Sequence, residues 1–104
     1  MRTGDFPNRV YMLVRKVPYG KVTTYKAIAK ALNTKAYRAV GNALNKNKNI
    51  ELVKCCKVVK SDGSIGGYSE GTEEKAKRLK KEGIQVKGGK IVDFQKRLLR
   101  FNNK

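Results

Sequence analysis

The stretch KVTTYKAIAKALNTKAYRAVGNALN, Lys21–Asn45, decides the fold. Lys21-Val22-Thr23 reads as a short extended link. Thr24 can cap a helix from Tyr25 to Leu32 that turns Ile28, Ala31 and Leu32 inward. Asn33-Thr34 forms a tight break, and a further helix follows from about Lys35 to Asn45. Two short helices across a brief turn predict a helix-turn-helix. In the second of them Ala36, Ala39, Val40, Ala43 and Leu44 form an apolar side of small residues. Lys35, Arg38, Asn42 and Asn45 recur at helical spacing and share the other side. Lys and Arg suit phosphates, and Asn can also meet base edges. The same stripe also fits an ordinary solvated helix face.

Upstream, Phe6 to Val17 reads as a helix with Asp5 as N-cap and Pro7 in its first turn. Val10, Leu13, Val14 and Val17 recur at helical spacing, and Pro18-Tyr19-Gly20 ends the helix. Downstream, Asn45–Asn49 is a polar loop, Ile50–Val53 a short extended approach, and Lys57–Lys60 a strand closed by a turn at Ser61–Ser64. Ile65–Gly71 is a glycine-rich loop that matches neither a dinucleotide nor a P-loop fingerprint. Thr72 starts a helix that runs to Glu82 and stops at Gly83. Gln85–Val92 predicts a hairpin turning at Gly88-Gly89, and Asp93 can cap a last helix through Phe101, with Phe94, Leu98 and Phe101 inward. The expected fold is mainly α with short β hairpins, a winged helix-turn-helix-like single domain over residues 1–104.

Composition narrows the function. The 104 residues carry 25 Lys and Arg against 8 Asp and Glu, a net charge of +17. Such a one-sided balance points to a polyanionic partner, nucleic acid first and an anionic membrane surface second. The 39% of hydrophobic residues suffices for one core, which a disordered basic tail would lack. No apolar run reaches the roughly 18 residues of a membrane span, and no secretory leader opens the chain. An intracellular protein, in the cytoplasm, nucleoid or nucleus, is therefore expected. No heptad pattern implies an oligomer, so a monomer is expected.

There is no histidine, which excludes a Ser-His-Asp triad, a Cys-His dyad and any His-ligated metal. The two cysteines, Cys55 and Cys56, are adjacent and staple nothing, so no metal and no cofactor is expected. Cys55 follows Leu52-Val53 and stands between Lys54 and Lys57. Nearby cations favour a reactive thiolate, whereas burial makes a cysteine inert, and local sequence leaves both open.

Several motifs in register resemble one family. They are Val17–Tyr25, Arg38–Leu44, Asn47 and Gly66–Gly71, and their order and spacing hold without a gap from Tyr25 through Glu82. The chain resembles the C-terminal, DNA-binding and active-site domain of the O6-alkylguanine-DNA alkyltransferases, including the alkyltransferase-like proteins. The resemblance implies binding to duplex DNA in the minor groove and extrusion of an O6-alkylated guanine. Extrusion is required because O6 lies inside the base pair and the stack. Lys35, Arg38, Gly41, Asn42 and Asn45 would meet DNA, with Arg38 as the finger that replaces the extruded nucleotide. Small residues such as Gly41 and Ala43 would let the helix fit a groove about 6 Å wide. Tyr25 matches the tyrosine that rotates the phosphate and helps protonate the departing guanine. Asn47 matches the asparagine that ties the recognition helix to the active-site turn, and Tyr68 and Ser69 match the loop lining the base pocket. Cys55 matches the cysteine that accepts the alkyl group irreversibly, and Glu82 the glutamate ending the family's Cys–water–His–Glu chain.

One departure stands out. The family's Pro-Cys-His-Arg is Lys54-Cys55-Cys56-Lys57 here. The acceptor remains, but Cys56 replaces the histidine and leaves Glu82 without its relay. Lys54 or Lys57 could stabilise the thiolate, or Cys56 could itself be the thiolate. Three readings follow: an alkyltransferase acting once through Cys55, a lesion sensor without transfer that signals to other repair proteins, or a basic helix-turn-helix protein without lesion chemistry.

Overall fold

A computed structural model describes residues 6–47, 53–66 and 71–99. Among them, five helices are α1 (Phe6–Arg15), α2 (Tyr25–Ala31), α3 (Tyr37–Asn45), α4 (Thr72–Lys81) and α5 (Phe94–Arg97). Four two-residue strands are β1 (Thr23–Thr24), β2 (Val58–Val59), β3 (Val86–Lys87) and β4 (Lys90–Ile91), and a 3-10 turn covers Cys55–Lys57.

The helix-turn-helix forms for the expected local reasons. Thr24 is extended and its Oγ1 accepts from the Ala27 N–H at 2.9 Å, capping α2. Asn33 takes φ 61°, a conformation asparagine tolerates, and turns the chain toward α3. α3 starts at Tyr37 because the Ala36 N–H is held by Thr34 Oγ1 at 3.1 Å. Lys35 therefore stands in the preceding turn, off the helical stripe predicted for it. The Tyr11 hydroxyl donates to the Ala43 carbonyl at 2.6 Å and fastens α1 across α3.

Two apolar clusters share one wall. The first joins Val10 and Val14 of α1, Ile28 and Ala29 of α2, and Val40, Ala43 and Leu44 of α3 to Val53, Cys55 and Val58. The second joins Val22, Val59, Ile65, Leu79, Ile84 and Ile91. Successive strand residues face opposite ways, so Val58 enters the first cluster and Val59 the second. β2 pairs with β1 in parallel, Thr23 to Val58 and Thr24 to Val59, so this pair is not a hairpin. The predicted hairpin forms as β3–β4, with Gly88 at φ 60° and Gly89 at φ 79° supplying the left-handed turn.

α4 ends as read from Gly83. The Gly83 N–H donates to the Lys80 carbonyl at 2.9 Å and the Ile84 N–H to the Leu79 carbonyl at 3.1 Å, while Leu79 and Ile84 bury together. α1 stops at Arg15, and a tighter turn then carries Val17 into the interior. α5 corrects the expectation more sharply. Asp93 lies at φ 58° and caps nothing with its side chain, and the helix spans four residues. It stops because Val22 captures the following chain: the Val22 N–H donates to the Arg97 carbonyl at 2.8 Å and the Leu99 N–H to the Val22 carbonyl at 2.7 Å. Asp5 and Phe101, as well as the approach 50–52, lie outside the described residues. No helix among the described residues is long and apolar enough to cross a membrane.

Candidate active site and nucleic-acid interface

The cysteine turn lies where α3 ends. Asn47, two residues beyond α3, sends its Nδ2 to the Val53 carbonyl at 2.8 Å and to Cys55 Sγ at 3.8 Å. Asn47 thus couples the helix carrying Arg38 to the candidate nucleophile. The turn is closed by the Lys57 N–H on the Lys54 carbonyl at 3.0 Å. Cys55 and Cys56 lie on a 3-10 turn, so their side chains diverge by about a third of a turn. Both are buried, at 6% and 4% exposure.

The two thiols have different surroundings. Cys55 belongs to the first cluster, against which Tyr25 packs. Burial first, and the charge of Cys55 second, raise the Tyr25 hydroxyl above its usual range. That coupling sets Tyr25 within electrostatic reach of Cys55. The Cys56 thiol is pushed up to about 11, by burial first and then by Cys55 and Glu82, against the pull of Arg78 and Lys75. Cys56 is therefore harder to ionise than an ordinary thiol, which weighs against it as the attacking group.

Glu82 is engaged elsewhere. Its Oε1 accepts from Lys57 Nζ at 2.8 Å and from the Gly20 N–H at 2.8 Å, and Lys54 Nζ stands 4.0 Å from Oε2. Lys57 is 3% exposed and also donates to the Pro18 carbonyl at 2.7 Å and the Val17 carbonyl at 3.3 Å. Gly20 can present its N–H here because it turns at φ 83°. Glu82 and Lys57 therefore clamp the α1–β1 loop onto the cysteine turn.

Sequence reasoning missed the burial of two lysines, Lys57 and Lys75. Lys75 on α4 is fully buried and donates to the Val58 carbonyl at 2.7 Å. Burial lowers its pKa to about 8, opposed by the charges of Cys56 and Cys55. One signal existed: Lys75 stands four residues before Leu79, on the inward stripe of α4.

The interface side is open. Arg38, Asn42 and Asn45 are exposed on α3, and Lys35 is exposed in the turn before it. A Cβ built on Gly41 would meet nothing within 4 Å, so this part of α3 has no neighbour of its own. Tyr37, at the first turn of α3, is 46% exposed. Tyr68 and Ser69 lie outside the described residues. No group of three or more metal-ligating side chains gathers among the described residues.

Residues 5–84 match the family model described as 6-O-methylguanine DNA methyltransferase, DNA binding domain. A bifunctional methyltransferase/endonuclease of Picrophilus torridus is 44% identical over 99% of this chain and 34% of its own length. A methylated-DNA–protein-cysteine methyltransferase of Metallosphaera sedula is 49% identical over 84% of this chain and 54% of its own. The chain thus spans from a third to about half the length of these curated relatives. Among solved structures, S. pombe Atl1 in complex with damaged DNA containing O6-carboxymethylguanine superposes with a TM-score of 0.82 at 29% identity, over 96% of this chain and 99% of that one. The O6-methylguanine-DNA methyltransferase of Pyrococcus kodakaraensis superposes with a TM-score of 0.71 at 46% identity, over 77% of this chain and 47% of that one.

Proposed function

This chain belongs to the family of the 6-O-methylguanine DNA methyltransferase DNA-binding domain, and from that premise we propose that it repairs O6-alkylguanine in duplex DNA by transfer to Cys55. The observation that carries the reading is Asn47, which bonds Cys55 Sγ from the end of the helix that presents Arg38, Asn42 and Asn45. We take residues 1–104 as one such domain, working wherever the cell keeps its DNA.

The basic, open side of α3 lies along the minor groove, and Arg38 enters the stack in place of the extruded nucleotide. Sγ of Cys55 forms a bond to the alkyl carbon as the carbon–O6 bond breaks. The electron pair leaves on guanine, and the thiol proton ends, overall, on guanine. Tyr25, a hydroxyl kept protonated and next to Cys55, is the donor to the departing base. No imidazole takes the thiol proton, and Glu82 is paired with Lys57. Lys57 is spent on Glu82, so the cation left beside the thiols is Lys75, whose charge couples to both.

The engagement of Glu82 by Lys57 also favours a second reading, a sensor that binds the lesion without transfer. The match to Atl1 over nearly the full length of both chains supports it. The relative that unites a methyltransferase with an endonuclease supports a repair nuclease as the kind of protein that works alongside.

Mass spectrometry after incubation with an O6-methylguanine duplex decides between them. One added methyl, mapped to Cys55, is expected, and Cys55→Ala abolishes it while lesion binding persists. An unmodified protein that still prefers the lesion duplex establishes the sensor, and a methyl on Cys56 overturns the assignment of the acceptor.

A further inference from the structure

Cys55 and Cys56 are neighbours in the chain, and no other residue of the 104 carries a thiol. Both are buried, at 6% and 4% exposure. Enclosure to that depth admits a small reagent far more readily than a bulky thiol or a cysteine of a second chain. The one sulfur within reach of Cys55 is therefore that of Cys56.

The surroundings make the pair reactive. Asn47 Nδ2 stands 3.8 Å from Cys55 Sγ, and the buried Lys75 couples to the charge of both thiols. A donor and an ammonium group beside a sulfur favour its anionic, nucleophilic form. Cys56 is slow to ionise, but adjacency offsets this, because an oxidised Cys55 cannot diffuse away from it. A bond between them would also be easy to undo. Consecutive Cα atoms across a trans peptide lie about 3.8 Å apart, below the roughly 4.4 Å at which ordinary disulfides begin. A strained disulfide is readily reduced. Closing it would swing both side chains to one side of the 3-10 turn and take Cys55 Sγ away from Asn47.

We propose that Cys55 and Cys56 form a redox modification site, which a peroxide closes to a vicinal disulfide and a small dithiol reopens. The Cys55 thiolate attacks one peroxide oxygen and becomes a sulfenic acid. The other oxygen leaves as hydroxide and takes up the thiol proton as water. The Cys56 sulfur then displaces the sulfenic oxygen, which departs with the Cys56 proton as a second water. Both electrons come from the thiols, and the peroxide ends as water. The bond itself needs only the pair of thiols. Its consequence rests on the reading of Cys55 as the alkyl acceptor: a group usable once is held in reserve and spared irreversible oxidation to a sulfinic acid.

Intact-mass spectrometry of the whole chain tests this, after a small excess of hydrogen peroxide and denaturation in iodoacetamide. The expected product is a monomer lighter by two hydrogen atoms that takes no label, and dithiothreitol returns both thiols. Cys56→Ser should instead retain oxygen on Cys55 and lose most of its recovery in dithiothreitol. Oxygen on Cys55 of the wild type with Cys56 still labelled, a dimer linked between chains, or both thiols still labelled after peroxide overturns the site. The same samples are then given an O6-methylguanine duplex. The oxidised protein should take up no methyl, and the reduced protein should take it up. Uptake by the oxidised protein overturns the reserve. A reduced protein that takes up none leaves the disulfide standing and overturns the reading of Cys55 as the acceptor.

Discussion

The open side of α3 and the buried cysteine turn approach the same task from opposite physical states. Arg38, Asn42 and Asn45 project into solvent, and Gly41 leaves an empty place beside them. Cys55, Cys56, Lys57 and Lys75 are all at least nine-tenths buried, and Lys57 alone meets three oxygens. A surface that must accept DNA keeps its groups uncommitted, and stability there depends little on which residues stand in it. On the proposed function, a nucleophile that must meet one carbon needs its setting fixed, and the turn holds a buried ion pair and several hydrogen bonds. Substitutions should therefore separate: those in the turn act chiefly on stability, and those on the open side of α3 chiefly on DNA binding.

The largest effect on stability should come from Glu82→Ala. It leaves Lys57 charged and buried, and should cost about 3–5 kcal/mol in denaturant unfolding. Joining Glu82→Gln to Lys57→Met removes both charges and should recover most of that loss. A single variant that costs under about 1 kcal/mol would mean that the clamp is solvated and that the turn is no more fixed than α3.

Lys75→Met should show a pH-dependent difference from the wild type. Lys75 loses its proton near pH 8 in the folded chain, against 10.5 for the ordinary side chain. Between those values the unfolded chain holds more protons, so the wild type gains stability relative to the variant as pH rises from 8 to 10.5. The gain is on the order of 3 kcal/mol at most. A constant difference across that range would show that Lys75 reaches water.

Gly41→Ala should raise stability by up to about 1 kcal/mol, because alanine suits a helix interior better and nothing stands within 4 Å of the new methyl. Duplex affinity should fall nonetheless, since the methyl enters the space a groove wall needs. Unchanged affinity in a filter-binding titration would put α3 further from the DNA than proposed.

Arg38→Ala should be the mildest for the fold, within about 0.5 kcal/mol. It should still remove the fluorescence rise of a 2-aminopurine reporter beside the lesion while undamaged DNA binds almost as before. Parallel losses in both assays would reduce Arg38 to one phosphate contact among several.

The amino-acid sequence determined whatever is encoded within a few residues. Thr24 as a cap, the helices on either side of Asn33, Gly83 as a stop and Gly88-Gly89 as a hairpin turn all rest on local backbone chemistry. The stripe of Arg38, Asn42 and Asn45 was legible because helical spacing alone sets it, and so was the +17 charge. The register of motifs around Asn47 and Cys55 likewise needed no coordinates. Tertiary structure decided what depends on distant partners. Gly20 meets Glu82 across 62 residues, and Lys57 meets the Pro18 carbonyl across 39. Nothing near Lys57 in sequence says that it will be enclosed, and for Lys75 only its place on the inward stripe of α4 does. The parallel pairing of β1 with β2 and the early end of α5 at Val22 belong to the same class. Each is a choice between a local preference and a long-range bond that exists only once the chain has closed. A lysine reads as solvated until the fold supplies an acceptor for its ammonium group, as Val58 and Glu82 do here.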